Sequence, residues 1–120
     1  MPGKLVHFEI PARDAARARE FWGGVFGWQF ENVMPEMDYQ MVRTGEEQGG
    51  AVFPDEKRGL TVYFDTDDID ATIASIRQRG GQAEDKQPIP HVGWFARCVD
   101  TEGNDFSLFQ SDESVQMPGA

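Results

Sequence analysis

Leu5-Val6-His7-Phe8-Glu9-Ile10-Pro11-Ala12-Arg13-Asp14 opens a pattern that returns 54 residues later, where Thr61-Val62-Tyr63-Phe64-Asp65 leads to Asp68. In both copies a short apolar-rich alternation reads as a strand. An aspartate then stands where a helix needs an N-cap, and glycine ends the helical stretch, at Gly27-Trp28 in the first copy and Gly81-Gln82 in the second. The correspondence continues through Met41-Val42-Arg43 against Phe95-Ala96-Arg97 and Gly49-Gly50 against Gly103-Asn104. A duplicated unit of this size implies two similar halves that face each other across a shared cleft.

The first copy reads as a strand over 5–10, closed by Pro11, then a helix. Ala18, Phe21, Trp22 and Val25 recur at spacings of three and four and predict its buried stripe, with Arg13, Arg17, Arg19 and Glu20 on the wet face. Short strands over 28–31, 39–44 and 50–53 follow, punctuated by Pro35, Gly45 and the charged turn 55–58. The second copy runs through a strand over 60–66, a helix capped by Asp67 or Asp68 and carrying Ile69, Ile73 and Ile76, a stop at Gly80-Gly81, and strands over 82–87, 94–99 and 105–110. Each copy therefore reads βαβββ. The expectation is an α+β fold: two βαβββ modules, about 4–54 and 58–110, form a curled, barrel-like eight-stranded sheet with a concave cleft. Residues 1–120 make one domain, with a polar, fraying tail over 111–120.

Composition narrows the partners. With 120 residues, 39% hydrophobic, there is material for one core. A formal net charge of −10 argues against nucleic acid and anionic membranes, which call for a basic patch. A small organic molecule is left as the expected partner. The lone Cys98 has no disulfide partner in the chain and reads as a buried thiol in a reducing compartment. The N-terminal residues lead straight into a strand, and no apolar run is long enough for a signal peptide or a membrane span, so the expected location is cytoplasmic. Nucleotide-binding glycine motifs, a Ser/His/Asp order and Cys-x-x-Cys are absent from the sequence.

The segments His7-Phe8-Glu9-Ile10, Asp14 through Phe21-Trp22, Val25-Phe26-Gly27-Trp28, Asp67-Asp68-Ile69-Asp70, Gly93-Trp94-Phe95, Asp100-Thr101-Glu102-Gly103-Asn104 and Phe106-Ser107-Leu108-Phe109-Gln110, in this order, resemble the vicinal oxygen chelate superfamily. That superfamily includes glyoxalase I, bleomycin-resistance proteins, methylmalonyl-CoA epimerase and extradiol dioxygenases. The chain looks most like its short bacterial glyoxalase-related proteins, which implies a single glyoxalase-like domain. In metal-dependent members the ligands come from the first and last strands of each half as two His/Glu-type pairs. Transferred here, those places fall on His7, about Phe53, Thr61 and Ser107. His7 fits, but Phe53 cannot ligate, and Thr and Ser hydroxyls are poor ligands for a divalent ion. No metal and no cofactor is expected. The resemblance also implies a homodimer.

His7 then has two readings, as a general base or donor in the cleft, or as the remnant of an ancestral metal site. Glu9 shares its strand face by alternation. These two are the catalytic candidates. Arg43 and Arg97, at matched places of the repeat, are expected to clamp an anionic ligand or to pair with Glu9 and Asp65, unless they lie on wet strand edges. Thr61, Tyr63, Phe95 and Ser107 complete the expected ligand-binding set. Trp94 and Phe95 are placed near the cleft mouth, His91 is read as a solvated loop residue, and Trp22, Phe26 and Trp28 as structural. The resulting function is a metal-independent small-molecule binder, or a lyase or isomerase using His7 and Glu9. The alternatives are a metal-dependent glyoxalase-like or dioxygenase-like enzyme, with Glu9 or a partner chain supplying ligands, and a non-catalytic interaction module.

Overall fold

A computed structural model describes residues 3–46, 48–56 and 59–116. Lys57 and Arg58 of the expected charged turn lie outside the described residues, as do residues 117–120 of the tail. The chain is α+β, with strands β1 (Leu5–Ala12), β2 (Glu31–Met34), β3 (Tyr39–Arg43), β4 (Gly49–Pro54), β5 (Thr61–Asp65), β6 (Gln82–Ala83), β7 (Gln87–Ile89), β8 (Gly93–Val99) and β9 (Asp105–Ser111). Helices α1 (Ala15–Phe26) and α2 (Ile69–Gln78) follow β1 and β5. Among the described residues nine strands replace the eight expected, because the stretch over 82–87 is split. Ala83 ends β6 with its carbonyl held by Arg77, and pairing to β8 resumes only at Gln87. The strand order is open, with β2 and β6 at its ends, so no closed barrel forms.

The chain divides into two compact units. One spans Val6–Val62; the other joins Met1–Leu5 to Tyr63–Ala120. In the first, the strand order is β2-β3-β4-β1, with β1 parallel to β4 and the remainder antiparallel. In the second, β5 lies parallel to β9, β9 is antiparallel to β8, and β8 carries β6 and β7 along its other edge. The two helices open alike. Asp14 accepts from the Arg17 N–H at 3.0 Å and Asp68 from the Ala71 N–H at 3.1 Å, each from an extended N-cap, so in each helix one of the four unpaired first-turn donors is satisfied by the aspartate that the repeat predicts.

Strand alternation sorts the faces. In the first unit Ile10, Val42 and Val52 are buried on one face. Phe8 belongs to that face, where its ring fills the space that a side chain at Gly50 would need and meets Trp28, which stacks on Trp22 of α1. In the second unit Ile69 and Ile73 of α2 pack with Ala96, Cys98 and Leu108, and Trp94 packs against this cluster.

Three expectations fail at the level of packing. Phe21 and Val25 are 60% and 56% exposed; α1 turns Ala15, Ala18 and Trp22 inward instead, since apolar residues cover too wide an arc of this helix for periodicity to choose among stripes. Arg19, read as a wet residue, has only 15% of its side chain exposed and pairs with Asp38 at 3.2 Å. The tail holds at least to Val115, which is 5% exposed and accepts from the His91 N–H at 2.8 Å.

Candidate functional site

The face of the first unit opposite α1 carries His7 and Glu9 from β1, Gly49, Ala51 and Phe53 from β4, and Tyr39, Met41 and Arg43 from β3. Registered rows run His7, Gly49, Arg43 and Glu9, Ala51, Met41. Tyr39 stands two strands from β1, roughly 10 Å at ordinary strand spacing, yet its hydroxyl reaches both acidic and basic groups there. It lies 2.7 Å from His7 Nε2 and donates to Glu9 Oε2 at 2.7 Å. The glycine and alanine of β4 leave room for this crossing. Phe53 packs against the Tyr39 ring with centroids 5.3 Å apart, and the His7 and Tyr39 rings lie near parallel at 25°.

A phenol has one hydrogen. Because Tyr39 gives it to Glu9, its oxygen can only accept from His7, which fixes the neutral imidazole as the Nε2–H tautomer and makes Nδ1 the nitrogen that gains a proton. Burial lowers the His7 pKa below its ordinary 6.5, and the nearby Glu9 charge offsets part of that effect. His7 is therefore predominantly neutral at pH 7 and able to take up a proton, with the phenol linking it to a carboxylate. Tyr39 escaped the sequence reading because its partnership depends on register across β4. The available signal was the run of small residues, Gly49 and Ala51, between two strands bearing polar residues of one parity.

The remaining candidates fall elsewhere. Arg43 is exposed and donates to the Glu46 carbonyl at 3.0 Å, closing its own hairpin. Arg97 is exposed in the second unit, with its guanidinium 5.9 Å from the centre of the Phe95 ring. Asp65 is engaged by the backbone of the N-terminal residues, accepting from Lys4 N–H at 2.8 Å. Tyr63, Ser107 and Arg97 form one registered row on the helix-free face of the second unit, with Ser107 only 2% exposed, while Thr61 opens β5 partly buried. His91 is exposed, as expected, in a left-handed turn with φ 63°.

Register also corrects the repeat. Ser107 pairs with Tyr63 and Arg97, and the corresponding row of the first unit is Glu9, Ala51 and Met41. The offset is thus 54 at β1 and β5 but 56 at the later strands. Arg97 corresponds to Met41, not Arg43, and Ser107 to Ala51, not Phe53. The two added residues fall between α2 and β8, where the split strand lies. The arginines are therefore no matched pair. Ala51 offers a metal nothing that Phe53 did not. Among the described residues no group of three or more His, Cys, Asp or Glu side chains is placed to hold a metal ion. The donor set does not suit the metal that the resemblance would bring. Cys98 is no nucleophile, its thiol pushed up to about 11 by burial.

A sequence profile described as "Bleomycin resistance protein-like N-terminal" matches residues 4–45. A glyoxylase-like domain-containing protein of Didymella fabae is 34% identical over 122 residues, covering 88% of this chain and 92% of that protein. The chain belongs to the glyoxalase/bleomycin-resistance/dioxygenase superfamily. Within it, a superfamily member from Vibrio splendidus has the same fold, with a TM-score of 0.69 at 12% identity over 91% of this chain and 99% of its own. Methylmalonyl-CoA epimerase from Mycobacterium tuberculosis gives 0.65 at 18% identity over 92% and 88%. Identities this low carry the glyoxalase-like fold and leave activity to the residues. No helix among the described residues is long and apolar enough to cross a membrane.

Proposed function

We propose that the helix-free face of the first unit is one wall of a concave small-molecule cleft, and that His7, Tyr39 and Glu9 perform metal-independent proton transfer there on a small polar organic molecule, as in a lyase or isomerase. The observation carrying this reading is the Tyr39 hydroxyl bridging His7 and Glu9 at 2.7 Å on either side. A base poised below its ordinary pKa, backed by a hydrogen-bonded carboxylate, is the equipment that abstraction of a proton beside a carbonyl needs. In the first step His7 Nδ1 accepts the substrate proton. The resulting imidazolium keeps its Nε2–H bond to Tyr39, and the Glu9 side chain stabilises the added charge through the phenol. Return of the proton to another face or atom of the substrate completes an isomerisation, and its loss with a leaving group completes an elimination. The epimerase in the comparison is named for a CoA ester, and acyl thioesters accordingly belong in the first panel of compounds. The anion clamp is reduced to Arg43 on this wall, since Arg97 has a different place in the repeat.

The test needs no knowledge of the product. Small carboxylic acids, 2-oxo compounds and acyl thioesters are incubated with the protein in heavy water, with and without chelator, and deuterium uptake is followed by proton NMR. The reading predicts chelator-resistant exchange in at least one class, lost in His7→Gln and Glu9→Gln. Exchange that disappears with chelator would instead support the metal-dependent alternative, and thermal shift by a compound without exchange would support binding alone.

A further inference from the structure

Tyr39 reaches His7 and Glu9 from the very start of its strand. Pairing of β3 with β4 begins one residue later, at Gln40 opposite Val52. Towards β2 the register shifts between Asn32 and Met34, a bulge that sets Met34 against Tyr39 and Asn32 against Gln40. Just ahead, the 3-10 turn Pro35–Met37 ends at Asp38, a non-glycine residue in the left-handed conformation with φ 51° and ψ 36°. The phenol that joins the two candidate groups therefore projects from an irregular entry to β3. Bulges and left-handed residues of this kind re-aim single side chains at functional sites.

Asp38 is held from the opposite face of the sheet. Gln40 belongs to the registered row Ile10, Val52, Gln40 on the helix side. Its Nε2 donates to Asp38 Oδ1 at 3.0 Å, a clasp across residue 39. Arg19 of α1 donates from Nη2 to Asp38 Oδ2 at 3.2 Å. The hydrogen bond from Gln40, and after it the Arg19 guanidinium, hold the Asp38 carboxyl below its ordinary range, so it is ionised at neutral pH. Arg19 has 15% of its side chain exposed and Asp38 43%. Among the described residues Arg19 Nη1 is buried and meets no acceptor. A buried unmatched donor costs stability, and an ion pair with one half-exposed partner returns little. Stability alone does not account for an arginine here, since an unbranched apolar side chain would cover the same surface as its stem.

We propose that Arg19 and Asp38 are positioning residues: their ion pair fixes the entry to β3 and, through it, the place of the Tyr39 hydroxyl between His7 and Glu9. This rests on the reading of His7, Tyr39 and Glu9 as the proton-transfer group. The link crosses the sheet, so that α1 on one face sets the bridge on the other without touching it.

Nitrogen-15 NMR of the His7 ring in the whole chain, beside thermal melts, tests this without any substrate. Arg19→Met should melt within about 5 °C of wild type, because the ion pair contributes little and the buried unmatched donor disappears with it. Its His7 signals should nevertheless shift towards those of Tyr39→Phe. Asp38→Asn still accepts from Gln40 and tolerates the left-handed conformation, and should shift them in the same direction. Lys86→Met breaks an ion pair to Asp70 in the second unit and should leave them unchanged. His7 signals that keep their wild-type positions in folded Arg19→Met would overturn the proposal, as would an equal shift in Lys86→Met. If Arg19→Met fails to fold, Asp38→Asn decides by the same two outcomes. Absence of deuterium exchange in the wild-type protein would sink the proton-transfer reading, while a His7 shift in Arg19→Met would still uphold the positioning.

Discussion

The two units place different chemistry on equivalent positions. Where the first has His7, Tyr39 and Glu9, the second has Thr61, Phe95 and Tyr63. One half of the repeat keeps a connected set of proton-exchanging groups, and the other keeps hydroxyls and an aromatic ring. The helices divide the same way. α2 buries Ile69 and Ile73 to 1% and 6% exposure in a cluster with Ala96, Cys98 and Leu108, whereas α1 leaves Phe21, Val25 and Phe26 outside. On the function proposed above, chemistry would belong to the first unit, while the second holds the more fully buried helix.

Core substitutions should break this comparison most visibly. Ile69→Ala is expected to cost about 2–5 kcal/mol by leaving a cavity in a packed cluster, while Val25→Ala on α1 should stay within about 0.5 kcal/mol. Chemical denaturation of both variants checks it, and equal costs would erase the distinction between the helices.

The next effect in size concerns the equivalent aromatics. Tyr39→Phe removes a hydroxyl that joins two polar groups and should cost about 1–3 kcal/mol. The opposite change at the equivalent place, Phe95→Tyr, adds a hydroxyl where none exists and should stay within about 0.5 kcal/mol. Thermal melts of the pair sharpen the contrast between the two copies at these equivalent positions.

Asp14→Ala and Asp68→Ala should cost about 1 kcal/mol each, by the same loss of an N-cap. Here the units are expected to agree, and a cost confined to one helix would show that the repeat's local equivalence does not extend to its energetics.

The smallest effect is a pH dependence. His7 binds its proton less tightly when folded than when unfolded, so the unfolded state holds more protons between the depressed folded pKa and about 6.5. Stability is then fully present above about 6.5, declines as pH falls through that window, and levels off below the folded pKa. His7→Gln should remove this component of the acid profile, with the second unit contributing no counterpart at Thr61.

Much of this was legible in the sequence where physics is local. Strand alternation around His7 and Thr61, the capping aspartates and the isoleucines of α2 act within a few residues, and they read correctly. Helix α1 did not, because Phe21, Trp22, Val25 and Phe26 permit more than one buried stripe, and the choice depends on what packs against them. The later strands misled by two residues, since a fixed offset of 54 conceals an insertion between α2 and β8 that only pairing reveals. That slip joined Arg43 to Arg97. Tyr39 was invisible for a related reason: its hydroxyl meets His7 and Glu9 across an intervening strand, so the contact is a property of register and of small residues at Gly49 and Ala51, not of spacing along the chain.

Nitrogen-15 NMR of the His7 ring at neutral pH tests the account most directly, with Tyr39→Phe as the comparison. The bridged group predicts a neutral imidazole with its proton on Nε2 in the wild-type protein, and a changed tautomer balance once the phenol oxygen is gone. A wild-type ring carrying its neutral proton on Nδ1, or identical His7 spectra in the two proteins, would contradict it.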